Sequence, residues 1–256
     1  MKKQSFYSLS ILALLLTILS FGCKKDSDTG SSAIPTDGLV AYYPFDGNAQ
    51  DESGFNNHGN PNNGVQFVRN RNEAESKAVF FDGIDDYIKV PHSGGINFGK
   101  DQDFTVSLWL KYGNQDNTVA IDNDVLSKWK GGYPFVVRVL NQTSKPEQGA
   151  QGAWYAARWD GDCQHGGGAG GPKINDQQFH HVVFVKKGTL LYGYTDGVET
   201  SQGTDNTICE TKNDAPLYIG TRTPSPSSNF FKGAVDDLRI YNRALSVDEV
   251  KALYGE

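Results

Sequence analysis

From Phe104 to Lys111 the residues alternate. Phe104, Val106, Leu108 and Leu110 fall on one side of an extended backbone, and Thr105, Ser107, Trp109 and Lys111 fall on the other. A period of two is the signature of a half-buried strand, and no helix can gather such a set on one face. Short apolar segments of strand length recur along the chain: LVAYYPF (39–45), KAVFFD, DYIKV, YPFVVRVL, AWYAARW, HHVVFVKK, TLLYGYTD, PLYIG and GAVDDLRIYN. Gly, Asn and Asp punctuate them, as turn residues do. Lys187-Gly188 and Asp196-Gly197 are hairpin-type turns on either side of TLLYGYTD, so three consecutive strands form a meander. The acids are 22 Asp against 8 Glu, a skew toward the residue of turns and oxygen-ligand sites and away from the residue of helices. Only the C-terminal end reads as helix. There Ser246 and Glu249 form a capping box, Leu245 and Val250 sit where a hydrophobic staple would, and a helix is predicted over Val247–Tyr254. With no internal repeat, residues 37–256 read as one all-β domain.

The N-terminus follows different rules. Lys2 and Lys3 precede an apolar run from Ile11 to Phe21, too short to span a bilayer comfortably, so residues 1–22 read as a signal peptide. The run ends Leu19-Ser20-Phe21-Gly22-Cys23, which resembles the lipobox at which bacteria diacylate a cysteine. Residues 23–36, charged and rich in Ser and Gly, read as a flexible tether. The chain is therefore expected at the outer membrane, lipid-anchored through Cys23 and facing the periplasm or the cell surface. Removing the signal takes Lys plus Arg from 24 to 22 against 30 Asp plus Glu. An acidic surface has no electrostatic reason to seek nucleic acid. Cys163 and Cys209 remain as an even pair in an oxidising compartment, and a disulfide between them is expected.

Five strings carry a family likeness: GLVAYYPFDGNAQDESGFNNHG (38–59), VFFDGIDDYIKVP (79–91), FTVSLWLK, FHHVVFVKKGTLLYGYTDGV (179–198) and FKGAVDDLRIYNRALSVDEVKALY (231–254). In this order they resemble the LamG-like domains of the concanavalin A-like lectin/glucanase superfamily. The resemblance implies a two-sheet antiparallel jelly-roll sandwich with one short C-terminal helix. It also implies a structural calcium between the N-terminal loop and the last strand, which places Asp46, Asn48 and Asp236 as ligands. Alternation along GAVDDLRIY puts Asp236 on the face of Ala234, Leu238 and Ile240, where a bare carboxylate needs a cation or several donors. The stretch from Gly131 to Lys173 departs from the family pattern, and its DGDCQHGGGAGGPK segment reads as a long flexible loop.

The scaffold hosts lectins, adhesion modules, glycanases and lyases alike, so function has to be argued from the site. The superfamily's glycanases carry Glu-x-Asp-x-(x)-Glu on one strand. Glu73 and Glu75 come nearest to it, but Lys77 and Ala78 occupy the places of a third acid. That points away from catalysis, although acids on distant strands could still pair. His165 and the glycines after it lack the Gly-x-Ser-x-Gly partner of an esterase. Trp129, Tyr133, Trp154, Tyr155 and Trp159 all lie in the divergent middle, and aromatic planes stack on the C–H faces of sugar rings. Alternation puts Trp154 opposite Tyr155 and Trp159, so some of these rings must belong to the core. The leading expectation is a non-enzymatic, membrane-anchored protein that binds a polysaccharide or other glycan. The alternatives are an adhesion module with a protein partner and an unrecognised glycanase or lyase.

If Cys23 carries the lipid, Cys23→Ser should move the chain from the membrane to the soluble fraction. Fractionation after confirmed signal cleavage checks this, and continued membrane retention would contradict it.

Overall fold

The computed structural model describes residues 33–113, 123–141, 148–224 and 229–256. Cys23 and the signal segment lie outside the described residues. The elements in chain order are β1 (Leu39–Tyr43), β2 (Asn60–Asn62), β3 (Gln66–Val68), β4 (Ala78–Asp82), β5 (Tyr87–Val90), β6 (Phe104–Tyr112), β7 (Asn123–Ser127) and β8 (Tyr133–Val139). They continue with β9 (Ala153–Trp159), β10 (Gly166–Lys173), β11 (Phe179–Lys187), β12 (Leu190–Thr195), β13 (Val198–Thr204), β14 (Leu217–Ile219), β15 (Lys232–Tyr241) and α1 (Val247–Tyr254). The first sheet runs β13-β12-β11-β6-β15-β4-β3, with β1 also on β15, and the second runs β10-β9-β8-β7-β14-β5-β2. Together they form the expected jelly-roll sandwich of two antiparallel sheets, with one short helix at the end.

The alternation in β6 fixes the inner face of the first sheet. Phe104, Val106, Leu108 and Leu110 enter the core between the sheets with Val182, Phe184, Val235, Leu238 and Ile240. Phe135, Val137, Val139, Trp154 and Ala156 meet them from the second sheet. Phe98 stacks on Phe104 at 4.9 Å between ring centroids, and Phe104 also meets Phe135 and Phe184. The outer face of the first sheet is covered in part by α1. The helix sets Val250 and Leu253 on Val183, Val185, Tyr194 and Tyr241, so β11 is buried on both faces, which explains its unbroken apolar run. The capping box forms as read, with Glu249 N–H donating to Ser246 Oγ and Ser246 N–H to Glu249 Oε2.

Two sequence expectations are corrected. The glycine run is a strand, not a loop: Gly166–Gly170 pair with Tyr155–Trp159 along β9. The face assigned to Asp236 also changes. The register slips between Asp236 and Arg239, and Asp237 takes φ 46°, a bulge that shifts the alternation by one residue. Val235, Leu238 and Ile240 point into the core, whereas Asp236 lies opposite Trp109 on the outer face. It is still buried, at 1% exposure.

The cation that Asp236 calls for is a guanidinium. Arg71 Nη1 stands 2.6 Å from Asp236 Oδ2 and 2.6 Å from Asp237 Oδ2, and the group lies 4.5 Å over the Trp109 ring. Arg239 joins Asp237 to Glu256, at 3.4 and 2.8 Å. Burial, and then the charge of Asp237, push the Asp236 pKa up to about 7 against the pull of Arg71. Arg71→Met should therefore destabilise the fold by about 3–5 kcal/mol, the usual cost of stranding a buried charge. The loss should be larger at pH 8 than at pH 5, because Asp236 ionises between those values, and urea unfolding at the two pH values measures the difference.

Candidate functional site

Strand β9 sorts the predicted aromatics by strict alternation. Trp154, Ala156 and Arg158 point inward, and Tyr155, Ala157 and Trp159 point outward. Trp154 is a core residue with no exposed surface, its indole N–H donating to Thr195 Oγ1 at 2.8 Å. On the neighbouring strand a register slip between Tyr133 and Val136 turns Tyr133 outward as well. Trp129 follows Lys128, which is fully buried and bonded to the Ala215 carbonyl and, at 3.0 Å, to His92 Nδ1. Burial pulls the pKa of that ammonium down to about 8. Asn213 Nδ2 donates to the Lys128 and Gly132 carbonyls at 2.9 and 3.1 Å and fixes the turn that carries Trp129.

The outcome is a single aromatic platform on the outer face of the second sheet. Trp129, Tyr133, Tyr155 and Trp159 pack with Val136 and Ala157, and Trp129 stacks on Tyr133 at 4.8 Å. With Arg138, Gln148, Gly166 and Gly167 these rings border a groove of about 380 Å³. Trp129, Tyr155 and Trp159 are partly exposed, whereas Tyr133 is buried. One edge is polar. Arg222 lies 4.9 Å over the Trp129 ring and donates from Nε to Asp124 Oδ2 at 2.6 Å, while Arg138 pairs with the other oxygen of Asp124 at 3.2 Å.

The glycines of β10 make this arrangement possible. A Cβ on Gly166 would come within 2.7 Å of the Trp159 ring, and one on Gly168 would collide with the Tyr155 ring and hydroxyl. On the inner side a Cβ on Gly171 would strike the Trp154 indole. There β10 packs directly on the first sheet, with Thr200 Oγ1 and Ser201 Oγ donating to the Gly170 carbonyl at 2.9 and 2.7 Å. The β9–β10 turn is clamped twice. Cys163 and Cys209 form a disulfide, with Cα atoms 5.8 Å apart, and Asp160 accepts backbone N–H groups from His165, Ile208 and Cys209 at 2.8–3.1 Å. Those hydrogen bonds, which outweigh the opposing effect of burial, hold its pKa below the usual carboxylate range.

The residues expected to hold calcium have protein partners. Asp46 Oδ2 stands 2.5 Å from Lys77 Nζ, and Asn48 closes its own turn by accepting from Gln50 N–H at 2.8 Å. Asp236 is matched by Arg71. The donor set assigned to the ion is thus engaged by the chain itself. A larger cleft, about 820 Å³, opens on the outer face of the first sheet between Arg71, Trp109 and Tyr254. Its central ring offers little to a ligand. Trp109 is 7% exposed, covered by Arg71 and stacked with Tyr254 at 5.7 Å.

A family model described as the concanavalin A-like lectin/glucanases superfamily matches residues 82–251. Among solved structures, the binding domain of Paraclostridial Mosquitocidal Protein 1 aligns with a TM-score of 0.70 at 19% identity, over 86% of this chain and 52% of that one. Domain 4 of AbnA, a GH43 extracellular arabinanase from Geobacillus stearothermophilus, in complex with arabinotriose, aligns at 0.61 and 22%, over 84% and 98%. The Botulinum neurotoxin serotype D ligand binding domain in complex with N-acetylneuraminic acid aligns at 0.67 and 14%, over 86% and 51%. The chain spans about half the length of the toxin domains it matches. No curated protein matches it significantly in sequence.

The two classes of aromatic should separate in stability measurements. Trp154→Ala should cost about 3–5 kcal/mol, as emptying a core site does. Trp159→Ala, at a partly exposed position, should cost less than half of that in the same urea titration.

Proposed function

Because the chain belongs to the concanavalin A-like lectin/glucanases superfamily, we propose that it is a lectin-like protein that captures a glycan on the platform of Trp129, Tyr133, Tyr155 and Trp159 without cleaving it. The observation that carries this reading is the grouping of three partly exposed rings around one groove with a guanidinium at its edge. Rings of this kind stack on the apolar faces of sugars, and Arg138, Arg222 and Gln148 offer donors for hydroxyls. A groove fits a sugar chain better than a flat apolar patch would. Two of the structural neighbours are complexes with arabinotriose and with N-acetylneuraminic acid, which supports a glycan as the ligand class. Hydrolysis needs two carboxylates flanking the bond. The acid at the polar edge, Asp124, is engaged by Arg138 and Arg222, which favours binding over cutting. The lipobox at Cys23 supports placing this domain on a membrane surface at the end of a short tether.

Glycan-array binding of the chain, followed by titration calorimetry on the best ligand, tests the proposal. Trp159→Ala and Tyr155→Ala should each weaken binding by about tenfold or more, or roughly 1.4 kcal/mol, while the variants unfold as cooperatively as the parent. Unchanged binding in both would remove the platform from the reading. Release of reducing ends from the bound glycan would replace a lectin with an enzyme.

A further inference from the structure

The buried acids of this protein are matched by bases or, at Asp51 and Asp160, by backbone N–H donors. Arg71 and Arg239 serve Asp236 and Asp237, Arg138 and Arg222 serve Asp124, and Arg158 and Lys186 stand 3.4 and 3.8 Å from Asp205. The turn from β4 to β5, where the chain leaves one sheet for the other, breaks this pattern. Asp82, Asp85 and Asp86 each place a carboxylate oxygen within 4.8 Å of the other two, and among the described residues none of the three makes an ion pair. Asp82 Oδ1 accepts from Ile84 N–H at 2.7 Å, and Asp86 Oδ2 accepts from Asp82 N–H at 3.1 Å. The other oxygen of Asp86, Oδ1, is sealed from solvent and has no hydrogen-bond partner, in a residue that is 3% exposed. The β2–β3 turn closes over it: a Cβ on Gly64 would come 3.5 Å from that oxygen, and Asn63 Nδ2 donates to the Asp85 carbonyl at 2.9 Å.

An unpartnered buried carboxylate oxygen is costly, and three uncompensated acids in one turn repel one another. A hard divalent cation relieves both. Calcium takes oxygen ligands at about 2.3–2.6 Å, so two ligands on opposite sides of one ion are separated by at most about 5.2 Å. The observed spacing falls inside that limit. Asp85 is exposed, which leaves solvent access for the waters that fill out a calcium shell.

We propose that the β4–β5 turn is a divalent-cation site of calcium type, with Asp82, Asp85 and Asp86 supplying the carboxylate ligands. It is distinct from the set Asp46, Asn48 and Asp236, and it needs no glycan. An ion here ties the corner at which β4 of the first sheet becomes β5 of the second. Since it is held by the folded state alone, it stabilises by mass action.

The test is calcium titration of the full-length chain, read by calorimetry and by melting temperature after chelation. Calcium should raise the melting temperature by several degrees. Asp85→Asn, at an exposed position where folding is not at risk, and Asp86→Asn, which replaces the buried oxygen, should each weaken calcium affinity tenfold or more and remove most of the rise. An equal rise in the parent and in Asp85→Asn would place any ion elsewhere and overturn the proposal. So would the absence of calcium binding to the parent at millimolar concentration.

Discussion

The contact between β10 and its neighbours sets what the second sheet can display. Side chains on a strand normally keep a sheet's surface rough and hold the facing sheet about 10 Å away. Strand β10 has almost none, so Tyr155 and Trp159 lie down on its outer side while Thr200 and Ser201 reach the Gly170 carbonyl from the inner side. Glycine in a strand interior costs stability through entropy and lost packing. Here the loss is offset by burial of Trp154 beneath the strand and by the disulfide and the Asp160 hydrogen bonds that close the β9–β10 turn. A side chain at Gly166 or Gly168 would therefore disturb the platform, and one at Gly171 would disturb the core.

Charge follows a related logic. Burying an ion is tolerable only with a partner, and the sandwich brings two of its basic partners from elements far away in sequence. Arg71 meets Asp236 and Asp237 from the segment between β3 and β4, and Arg222 meets Asp124 from the stretch after β14. Both guanidiniums also rest on tryptophans, Arg71 on Trp109 and Arg222 on Trp129. The geometry is similar on the two outer faces, but the consequence differs. On the first sheet Arg71 and Tyr254 cover the indole, whereas on the second sheet Tyr155 and Trp159 remain partly open beside the guanidinium.

Much of the fold is legible in periodicity, because ten segments with strand-like apolar patterns form strands and the helix forms over Val247–Tyr254. Five strands carry no such pattern, among them the three-residue β2 and β3. β7, Asn-Asp-Val-Leu-Ser, is wholly buried yet mostly polar; β13, Val-Glu-Thr-Ser-Gln-Gly-Thr, is a polar edge; β10 is glycine. Alternation decided correctly within β9, where one of Trp154 and Tyr155 had to be core. It failed in β15, because a bulge at Asp237 cannot be inferred from residue types. Four of the five predicted aromatics share the groove, since three lie on the adjacent strands β8 and β9 and Trp129 lies on the turn that leads into β8. Arg222 and Arg138 carried no sequence signal, because only the sheet order brings them to Asp124.

The stiffness of the platform bears on how such a surface can bind at all. Sugar hydroxyls exchange good hydrogen bonds with water for similar ones with protein, so polar contacts add little net free energy and the stacked faces must supply most of it. That contribution is easily lost if the rings first have to be ordered, at about 0.5–1.5 kcal/mol for each immobilised side chain. Here the ordering has already taken place during folding. Trp159 and Tyr155 rest on a glycine strand whose turn is cross-linked, and Trp129 is held between Tyr133 and Arg222 on a turn fixed by Asn213. A single site of this kind remains weak, since few rings are available to stack. Under the proposed anchoring through Cys23, copies side by side on a membrane would raise the effective concentration at a repeating polymer by orders of magnitude without any new contact. A preorganised but small platform is thus best suited to a ligand that presents the same sugar face many times.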